Sequence, residues 1–345
     1  MPSQEPRELA IAALKQAALQ APLRASVPCQ IAQLMAKLTK GGKPYLEALL
    51  GDAGDQMVLR VWSDHPEYDA VSRLGQGAFI ALTGDFEHSD YGVEARNWSA
   101  LPLSDEAVER LLAGDDQLRR RQDADFSEIQ RLIESLADPR FAAAARMFIE
   151  RHGERLRRTA AARGYHHARR GGLVEHVAQM MRSADALCRV YPDLNRDLLL
   201  TGCLLHDCGK LFENCMLERG FEMPFTKIGE LLGHIPAGIE MTNAIWLEAC
   251  AALDGGDDLE PPSGDARLHL LHLIASHHGE HEFGSPTLPK TPEAIALHHI
   301  DNLDAKHEMM TAGLRTSPEL APGIRERVRP LPGRLVEPLA KFHQG

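Results

Sequence analysis

At residues 204–210 the chain reads Leu204-Leu205-His206-Asp207-Cys208-Gly209-Lys210, an apolar run that ends in adjacent histidine and aspartate. Further histidines and an aspartate of the same kind stand at long intervals from it: His176, His234, His277 and Asp301. Imidazole nitrogen and carboxylate oxygen together suit borderline divalent metals such as Mn²⁺, Fe²⁺, Co²⁺ or Zn²⁺. Because a set of this size is hard to explain by packing alone, the pattern predicts a metal-dependent hydrolase.

All of these candidate ligands lie on or beside predicted helices. The apolar run before His206 buries its helix and holds the His-Asp pair rigidly at the helix end. His234 is followed by Pro236 in the first turn of another helix, where proline is tolerated. A lone histidine such as His234 or His277 is more often a buried structural residue, so the interpretation depends on the joint pattern around His206 and Asp207. Together the helices predict an all-α pocket assembled from five segments.

The composition is that of an ordinary globular protein, since 44% of the 345 residues are apolar and 25% are charged. A chain of this length is comfortable for two domains. No stretch is apolar for long enough to span a bilayer, so no membrane partner is expected. Residues 1–20 form a charged, alanine-rich helical pattern unlike a secretory signal. The six cysteines include no Cys-x-x-Cys pair, which predicts free thiols in a reducing cytoplasm.

The charge balance limits how a nucleic acid could be recognised. The formal net charge of −11 argues against indiscriminate electrostatic binding to nucleic acid. A local basic groove stays open as an alternative, because bound metal ions add positive charge that this count omits.

Residues 26–104 show short extended segments separated by turn signals, which is the pattern of β-strands. Five strands are predicted, with a short helix between the third and the fourth, and this is the order of an OB-fold, a small barrel that often binds oligonucleotides. Lys37, Lys40 and Lys43, with Tyr45 and Trp62, offer charge and stacking surface for a single strand. The alternative is a barrel that serves only assembly, with Tyr45 and Trp62 in its core.

The texture of the chain changes near residue 105, from strand-like to helical. We therefore predict an α+β multidomain protein, with an N-terminal OB-like β-barrel followed by an all-α domain. The expected parts are a helical N-terminal extension over 1–25, the barrel over 26–104, a linker or exposed helix over 105–126, the all-α domain over 127–315 and a C-terminal tail over 316–345.

The spaced histidines and aspartates resemble the HD superfamily of metal-dependent phosphohydrolases, whose pattern is His, His-Asp, one or two further His and a final Asp. The resemblance runs through residues 165–306. It is closest in three strings, HHARRGGLVEH at 166–176, HHGEHEFGSP at 277–286 and DNLDAK at 301–306. With an OB-like domain in front, the chain resembles the YhaM-type 3′–5′ exoribonucleases of that superfamily.

The resemblance implies a metal-binding role for each matching residue. The ligands of a first metal would be His176, His206, Asp207 and Asp301. In two-metal members of the superfamily, Asp207 would bridge to a second ion held by His234 and His277.

The resemblance also implies which residues contact the substrate. Lys210 would lie against a phosphate oxygen, although a helix-end lysine beside the helix dipole is the alternative. His278 is expected to be either a ligand or a substrate-facing neighbour. The other residues expected to face the substrate are His167, Arg169 and Arg170, and for His167 the capping of a turn stays open.

The predicted chemistry follows from the negative charge of a phosphodiester, which repels hydroxide. A bound metal lowers the pKa of water to near 7, and a metal pair about 4 Å apart can clamp both the attacking and the leaving oxygens. Asp207 as a bridging carboxylate would set that spacing. Lys210 would offset charge on the non-bridging oxygens.

We therefore expect a cytoplasmic hydrolase with one or two divalent ions. Mn²⁺ is favoured by the resemblance alone, and Fe²⁺, Co²⁺, Mg²⁺ and Zn²⁺ are alternatives. The expected substrate is single-stranded RNA, hydrolysed from its 3′ end, with single-stranded DNA as an alternative and assembly into a homo-oligomer left open. One rival is a phosphohydrolase of a small nucleotide that uses the barrel for assembly, and another is a nucleic-acid-binding protein with a non-catalytic metal site.

Overall fold

A computed structural model describes residues 6–89, 92–253 and 259–340 of the chain. The chain divides into two compact units. Unit 1 comprises the described parts of Met1–Asp115, Arg219–Glu222 and Lys306–Gly345, and unit 2 those of Asp116–Glu218 and Met223–Ala305.

Unit 1 contains a largely antiparallel sheet. Its strands are β1 (Arg7–Glu8), β2 (Leu23–Leu38), β3 (Pro44–Gly51), β4 (Gln56–Trp62), β5 (Phe79–Ser89) and β6 (Gly92–Pro102). They are arranged in the order β4-β3-β2-β5-β6, and β1 pairs with β2 in parallel. Helix α2 (Tyr68–Leu74) lies between β4 and β5 in the sequence. This arrangement confirms the predicted β-rich N-terminal region and is consistent with an OB-like barrel.

The strands form where the sequence alternates. In β4, Met57, Leu59 and Val61 are buried, whereas Val58 and Trp62 are exposed. Successive side chains of a strand point to opposite faces, so this alternation supplies one apolar face for the core.

The N-terminal segment belongs to the same core. Helix α1 (Ile11–Gln20) buries Ile11 and Leu14 in the apolar cluster of the sheet. The boundary expected at residue 25 falls inside β2, which begins at Leu23. The helical pattern of the N-terminal segment does not show which core its apolar face packs against, so it could not place this boundary.

Two further segments complete unit 1. Phe221 is fully buried, and its backbone N–H donates to Gln30 Oε1 at 2.6 Å. The segment expected as a C-terminal tail includes a small sheet of β7 (Glu319–Ala321), β8 (Ile324–Arg325) and β9 (Leu335–Val336). The small antiparallel strands were not predicted.

The rest of the described chain is helical. The helices are α3 (Asp105–Ala113), α4 (Asp116–Glu134), α5 (Pro139–Leu156), α6 (Gly172–Val190), α7 (Arg196–Leu205), α8 (Lys210–Glu213), α9 (Lys227–Leu232), α10 (His234–Ala251), α11 (Ser263–Ser276) and α12 (Pro292–Thr316), with a 3₁₀ turn at His281–Phe283. The helical character of this region is confirmed. No helix among the described ranges is both long enough and apolar enough to cross a membrane.

The segment expected as a linker or exposed helix over 105–126 forms α3 and the first half of α4. Six of the ten residues in the first half of α4, Asp116–Asp125, are charged, so this half carries few apolar residues to mark it as a buried helix. Tertiary contacts hold it in place, because Ile129 and Leu132 are buried and Asp125 accepts hydrogen bonds from Arg182 at 2.9 Å.

Helix α7 lies at the centre of unit 2. All of its residues from Leu198 onward are buried, so it has no solvent-facing side over that length. The Asn195 side chain caps its start by accepting from the Leu198 N–H at 3.0 Å. A helix that is buried all round places the residues at its C-terminal end inside the unit, and these residues are His206 and Asp207.

Candidate metal centre

The His-Asp pair is fixed by its own helix end. His206 is fully buried at the C-cap of α7, and its Nδ1–H donates to the Cys203 carbonyl at 2.9 Å. That bond leaves the Nε2 lone pair of His206 facing away from the helix. Such a hydrogen bond on the far nitrogen is how proteins commonly orient metal-binding histidines.

Three further ligand-type groups lie near His206 Nε2. It lies 3.2 Å from His176 Nε2 and 3.1 Å from Asp207 Oδ2. Asp301 Oδ1 lies 3.4 Å from His176 Nε2. We call His176, His206, Asp207 and Asp301 the first cluster.

The electrostatics of the first cluster favour a cation. Burial alone disfavours a charged imidazole, yet hydrogen bonds to Asp301 and Asp304 raise the pKa of His176 to about 9. The carboxylates of Asp301 and Asp304 therefore stabilise a positive charge at this position. The imidazole nitrogens and carboxylate oxygens of the first cluster are the ligand types that would hold a divalent metal.

A second group of histidines lies on the other side of Asp207. Asp207 Oδ1 lies 3.6 Å from His277 Nε2 and 3.7 Å from His234 Nε2. One ligand atom from each of His234, His277 and His278 falls within 4.8 Å of the others. We call these three histidines the second cluster.

Unsatisfied atoms show that the second cluster also fits a metal. Asp207 Oδ1, His234 Nε2 and His277 Nε2 are buried atoms that have no hydrogen-bond partner among the residues that the structure describes. Buried polar atoms are seldom left without a partner, and a bound ion can supply one. Burial, together with the nearby His206, holds the pKa of His277 well below its usual value, which keeps the ring neutral and able to coordinate.

Asp207 joins the two clusters through its two carboxylate oxygens. Oδ2 faces His206 in the first cluster and accepts from Lys210 Nζ at 2.6 Å, while Oδ1 faces the second cluster. Although burial favours the neutral acid, Lys210 and His206 hold the pKa of Asp207 well below its usual value. The carboxylate is therefore ionised, and each of its two oxygens could serve as a ligand on the side of one cluster.

Two supporting carboxylates were not predicted as site residues. Asp304 Oδ2 lies 2.7 Å from His176 Nδ1, and Glu213 Oε2 lies 3.3 Å from His234 Nδ1. Each carboxylate orients a ligand histidine through the nitrogen that does not face the cluster. The available signal for Asp304 was its position three residues after Asp301, which places both on one helix face.

The structure places His167 beneath the first cluster instead of on an open surface. His167 is buried, with Nε2 3.1 Å from Asp304 Oδ2 and Nδ1 3.5 Å from Glu175 Oε2. The neighbouring His166 also has a buried, unpartnered Nε2 among the described residues, and its ring centroid lies 5.6 Å from that of His176. Burial, aided by the charges of His176 and Lys210, lowers the pKa of His166 to about 3.

The two arginines of this segment are engaged in structural contacts. Arg169 forms a close ion pair with the buried Glu175. Arg170 donates to the carbonyls of Leu217 and Glu218 at 2.8 and 3.0 Å. By contrast, His278 and Lys210 both line a cavity beside the clusters.

The nucleic-acid-binding residues predicted on the sheet lie together around β2 and β3. Lys37 pairs with Glu47 at 2.6 Å and Lys43 with Asp64 at 2.7 Å, so two of the three lysines are already neutralised. Lys40 is exposed. The Tyr45 ring lies 5.1 Å from that of Trp62, and Trp62 is 41% exposed, so Trp62 is a surface residue and not part of the core.

Comparison with known proteins supports the same interpretation. The family model for the HD domain matches residues 173–306, a span that contains every residue of both clusters. The chain is 32% identical over 307 residues to the 3′–5′ exoribonuclease YhaM of Shouchella clausii (strain KSM-K16), covering 86% of this chain and 88% of that protein. It is also 32% identical over 310 residues to the 3′–5′ exoribonuclease YhaM of Bacillus subtilis (strain 168), covering 87% and 91%.

Proposed function

This chain belongs to the family of YhaM 3′–5′ exoribonucleases, and from that premise we propose that it is a metal-dependent hydrolase that removes nucleoside 5′-monophosphates from the 3′ end of single-stranded RNA. The observation that carries the proposal is the position of Asp207. Its two oxygens face two different histidine clusters, and the unsatisfied atoms of the second cluster are all ligand atoms.

The residues would divide the work as follows. Divalent ions held by the clusters would supply an activated water near neutral pH and neutralise charge on the phosphate. Lys210 lies on the cavity wall beside both clusters, so its ammonium group can approach a non-bridging phosphate oxygen. Asp304 and Glu213 hold the rings of His176 and His234 in the orientation that coordination needs.

We propose two ions, because the two clusters have no residue in common and Asp207, a member of the first, also turns an oxygen toward the second. Mn²⁺ is proposed as the natural metal on the resemblance alone, since a mixture of histidine and carboxylate ligands suits several divalent metals. Fe²⁺, Co²⁺, Mg²⁺ and Zn²⁺ are the competitors that a metal panel would rank.

The N-terminal sheet is proposed to hold the RNA strand upstream of the reacting end. Tyr45 and Trp62 offer neighbouring ring surfaces, and the exposed Lys40, in the turn between β2 and β3, adds positive charge to this sheet. Single-stranded DNA is a second substrate to test, because stacking does not distinguish the sugar. A cytoplasmic location is supported by the six cysteines, all of which are free thiols.

The decisive experiment follows a 5′-labelled single-stranded RNA in the presence of Mn²⁺. We expect a ladder of products shortened from the 3′ end, together with nucleoside 5′-monophosphates. Asp207→Ala is expected to abolish hydrolysis and to lower the bound metal, with the circular dichroism spectrum of the fold retained. Asp193→Ala removes an exposed aspartate and serves as the matched control.

The outcome separates the rivals. Hydrolysis of free nucleotides with intact RNA left untouched would favour the small-nucleotide phosphohydrolase. RNA binding without hydrolysis under any of the five metals would favour a non-catalytic metal site. Full activity in an Asp207→Ala protein that has lost its metal would show that the proposed metal-dependent mechanism is wrong.

A further inference from the structure

A cavity of about 520 Å³ opens beside the metal centre within unit 2. Lys210, His234 and His278 line it on the side of the clusters. Tyr165 and Phe225 also line it, and they are 66% and 62% exposed. Its volume lies in the range of about 300–1,000 Å³ that is usual for small-molecule sites. The cavity therefore combines a phosphate-binding end with exposed aromatic rings.

Phe225 is held as a fixed platform. The guanidinium carbon of Arg163 lies 4.3 Å from the centroid of the Phe225 ring. That guanidinium donates to the carbonyl of Met223 at 2.9 Å and to the carbonyl of Glu213. The ring is thus supported on one face by a group that is itself tied to the backbone. Aromatic side chains presented in this way stack on nucleic-acid bases with little dependence on base identity.

Asn214 is a polar residue of the cavity wall. The residue is only 5% exposed and lines the cavity. Its backbone is used, because its N–H donates to the Lys210 carbonyl at 2.8 Å and its carbonyl accepts from the Ala160 N–H at 3.2 Å. Its side-chain amide makes no hydrogen bond to any residue in the described part of the chain. An amide at the wall of a cavity that makes no hydrogen bond to the protein can bond a ligand there in place of water.

The spacing relates Asn214 to the phosphate end. It follows Lys210 by one helical turn, so the two side chains are separated by about 6 Å along one face. In a nucleotide the ribose lies between the 5′-phosphate and the base. A group one turn beyond the phosphate-binding lysine is therefore placed at the sugar. An amide can both donate and accept, as a sugar hydroxyl does.

We propose that this cavity holds the 3′-terminal nucleoside of the RNA, with its base against Phe225 and Tyr165 and its free 3′-hydroxyl hydrogen-bonded to the Asn214 amide. The proposal rests on the proposed exoribonuclease function and adds how the end of the chain is recognised. Only the terminal nucleoside has an unesterified 3′-hydroxyl. A hydrogen bond from that hydroxyl to Asn214 therefore distinguishes the terminal nucleoside from an internal one.

The first test measures equilibrium binding to the metal-loaded full chain, with AMP and 3′-deoxy-AMP as the probes. Asn214→Ala should weaken AMP binding about three- to tenfold, the effect of one hydrogen bond, and leave 3′-deoxy-AMP binding unchanged. Phe225→Ala should weaken both ligands about tenfold or more. Tyr191→Ala, which removes an exposed aromatic ring that does not line the cavity, should change neither. An equal loss of both ligands in Asn214→Ala would overturn the 3′-hydroxyl assignment.

The second test compares labelled RNAs that differ only in the last sugar. Wild-type protein should prefer a terminal 3′-hydroxyl over a 3′-deoxy end, and Asn214→Ala should erase that preference by slowing only the first substrate. Asn214→Leu, which keeps about the size of the side chain and removes both its donor and its acceptor, should behave similarly and covers the case in which the alanine variant does not fold. If Asn214→Ala instead erases a preference between a terminal ribose and a terminal 2′-deoxyribose, the amide contacts the 2′-hydroxyl and the proposal is wrong.

Failure of the inference and failure of the function give different results. If wild-type protein shortens RNA but binds neither AMP nor 3′-deoxy-AMP, the nucleoside site is wrong and the exoribonuclease function stands. If it binds AMP with the predicted dependence on Asn214 but shortens no RNA, the function fails and the nucleoside site stands.

Discussion

Asp304 Oδ2 lies 2.7 Å from His176 Nδ1, and the same oxygen lies 3.1 Å from His167 Nε2. All three side chains are buried. His167 in turn lies 3.5 Å from the buried carboxylate of Glu175. The orientation of a first-cluster histidine is thus set by a row of buried groups that extends away from the clusters. Burial opposes ionisation of Asp304, yet hydrogen bonds to His167 and His176 lower its pKa, so the carboxylate stays charged.

Asp304→Asn should weaken metal binding about 10- to 100-fold, because it removes the charge that orients and polarises His176. At saturating metal the variant should recover much of its activity, since Asp304 is not itself in the first cluster. A titration with Mn²⁺ monitored by calorimetry measures the affinity, and Asp193→Asn serves as the control. Unchanged affinity would show that Asp304 has only a packing role.

Lys210→Met should lower kcat by about 10²- to 10³-fold, the usual effect of removing one charge-stabilising donor from a transition state. Metal affinity should be unchanged or higher, because Asp207 loses a competing cation at 2.6 Å. Steady-state kinetics on RNA and a parallel metal titration separate the two effects. If Lys210→Met has a much lower metal affinity but a normal kcat at saturating metal, Lys210 positions Asp207 and does not contact the phosphate.

Trp62→Ala should weaken binding of long single-stranded RNA by about tenfold through lost stacking, and leave hydrolysis of a dinucleotide unchanged. Leu101→Ala, another exposed apolar residue of unit 1, is the control. Fluorescence anisotropy with labelled RNA measures the affinity. Equal affinity of the wild-type and Trp62→Ala proteins would remove this face of the sheet from RNA binding.

Lys40→Ala should reduce the dependence of RNA binding on salt by about 0.7 in the logarithmic slope, the value for one phosphate contact on a single strand. Lys37→Ala should have a smaller effect, because its charge is already neutralised by Glu47 at 2.6 Å. Anisotropy titrations over a series of salt concentrations give both slopes. A larger change for Lys37→Ala than for Lys40→Ala would contradict the pairing of Lys37 with Glu47.

Glu175→Gln should lower the free energy of unfolding at neutral pH by about 3 kcal/mol, because it leaves Arg169 and His167 without their buried anion. Burial by itself raises the pKa of Glu175, but hydrogen bonds from His167 and Arg169 lower it far below 4.5. A lowered folded-state pKa contributes stability above the unfolded-state value and loses it as the pH falls. The difference between wild type and variant should therefore shrink below pH about 4.5.

Urea unfolding at a series of pH values measures this difference. Glu154→Gln, at an exposed glutamate, is the control and should show no difference at any pH. A gap that stays constant as the pH falls would mean that the carboxylate charge of Glu175 does not contribute to stability.

Local patterns in the sequence predicted individual elements well. The five strands predicted over 26–104, with a short helix between the third and the fourth, correspond to β2, β3, β4, β5 and β6, with α2 between β4 and β5. Alternation and helical periodicity are properties of residues that are close in the sequence, so they can be recognised without knowing the fold. Local patterns did not decide between a linker and an exposed helix over 105–126. The first half of α4 is held by a distant partner, Arg182, and a local pattern carries no information about such a contact.

What the sequence by itself determined is the class of chemistry, because the types and order of His176, His206–Asp207, His234, His277 and Asp301 identify a metal-binding helical domain. Only the tertiary structure decided which groups support that chemistry. It showed Asp304 behind His176, Lys37 and Lys43 already paired, and Asn214 buried in the cavity that Lys210 also lines. The reason is physical, since a ligand is recognised by its chemical type, whereas burial and ion pairing depend on residues brought together from distant parts of the chain.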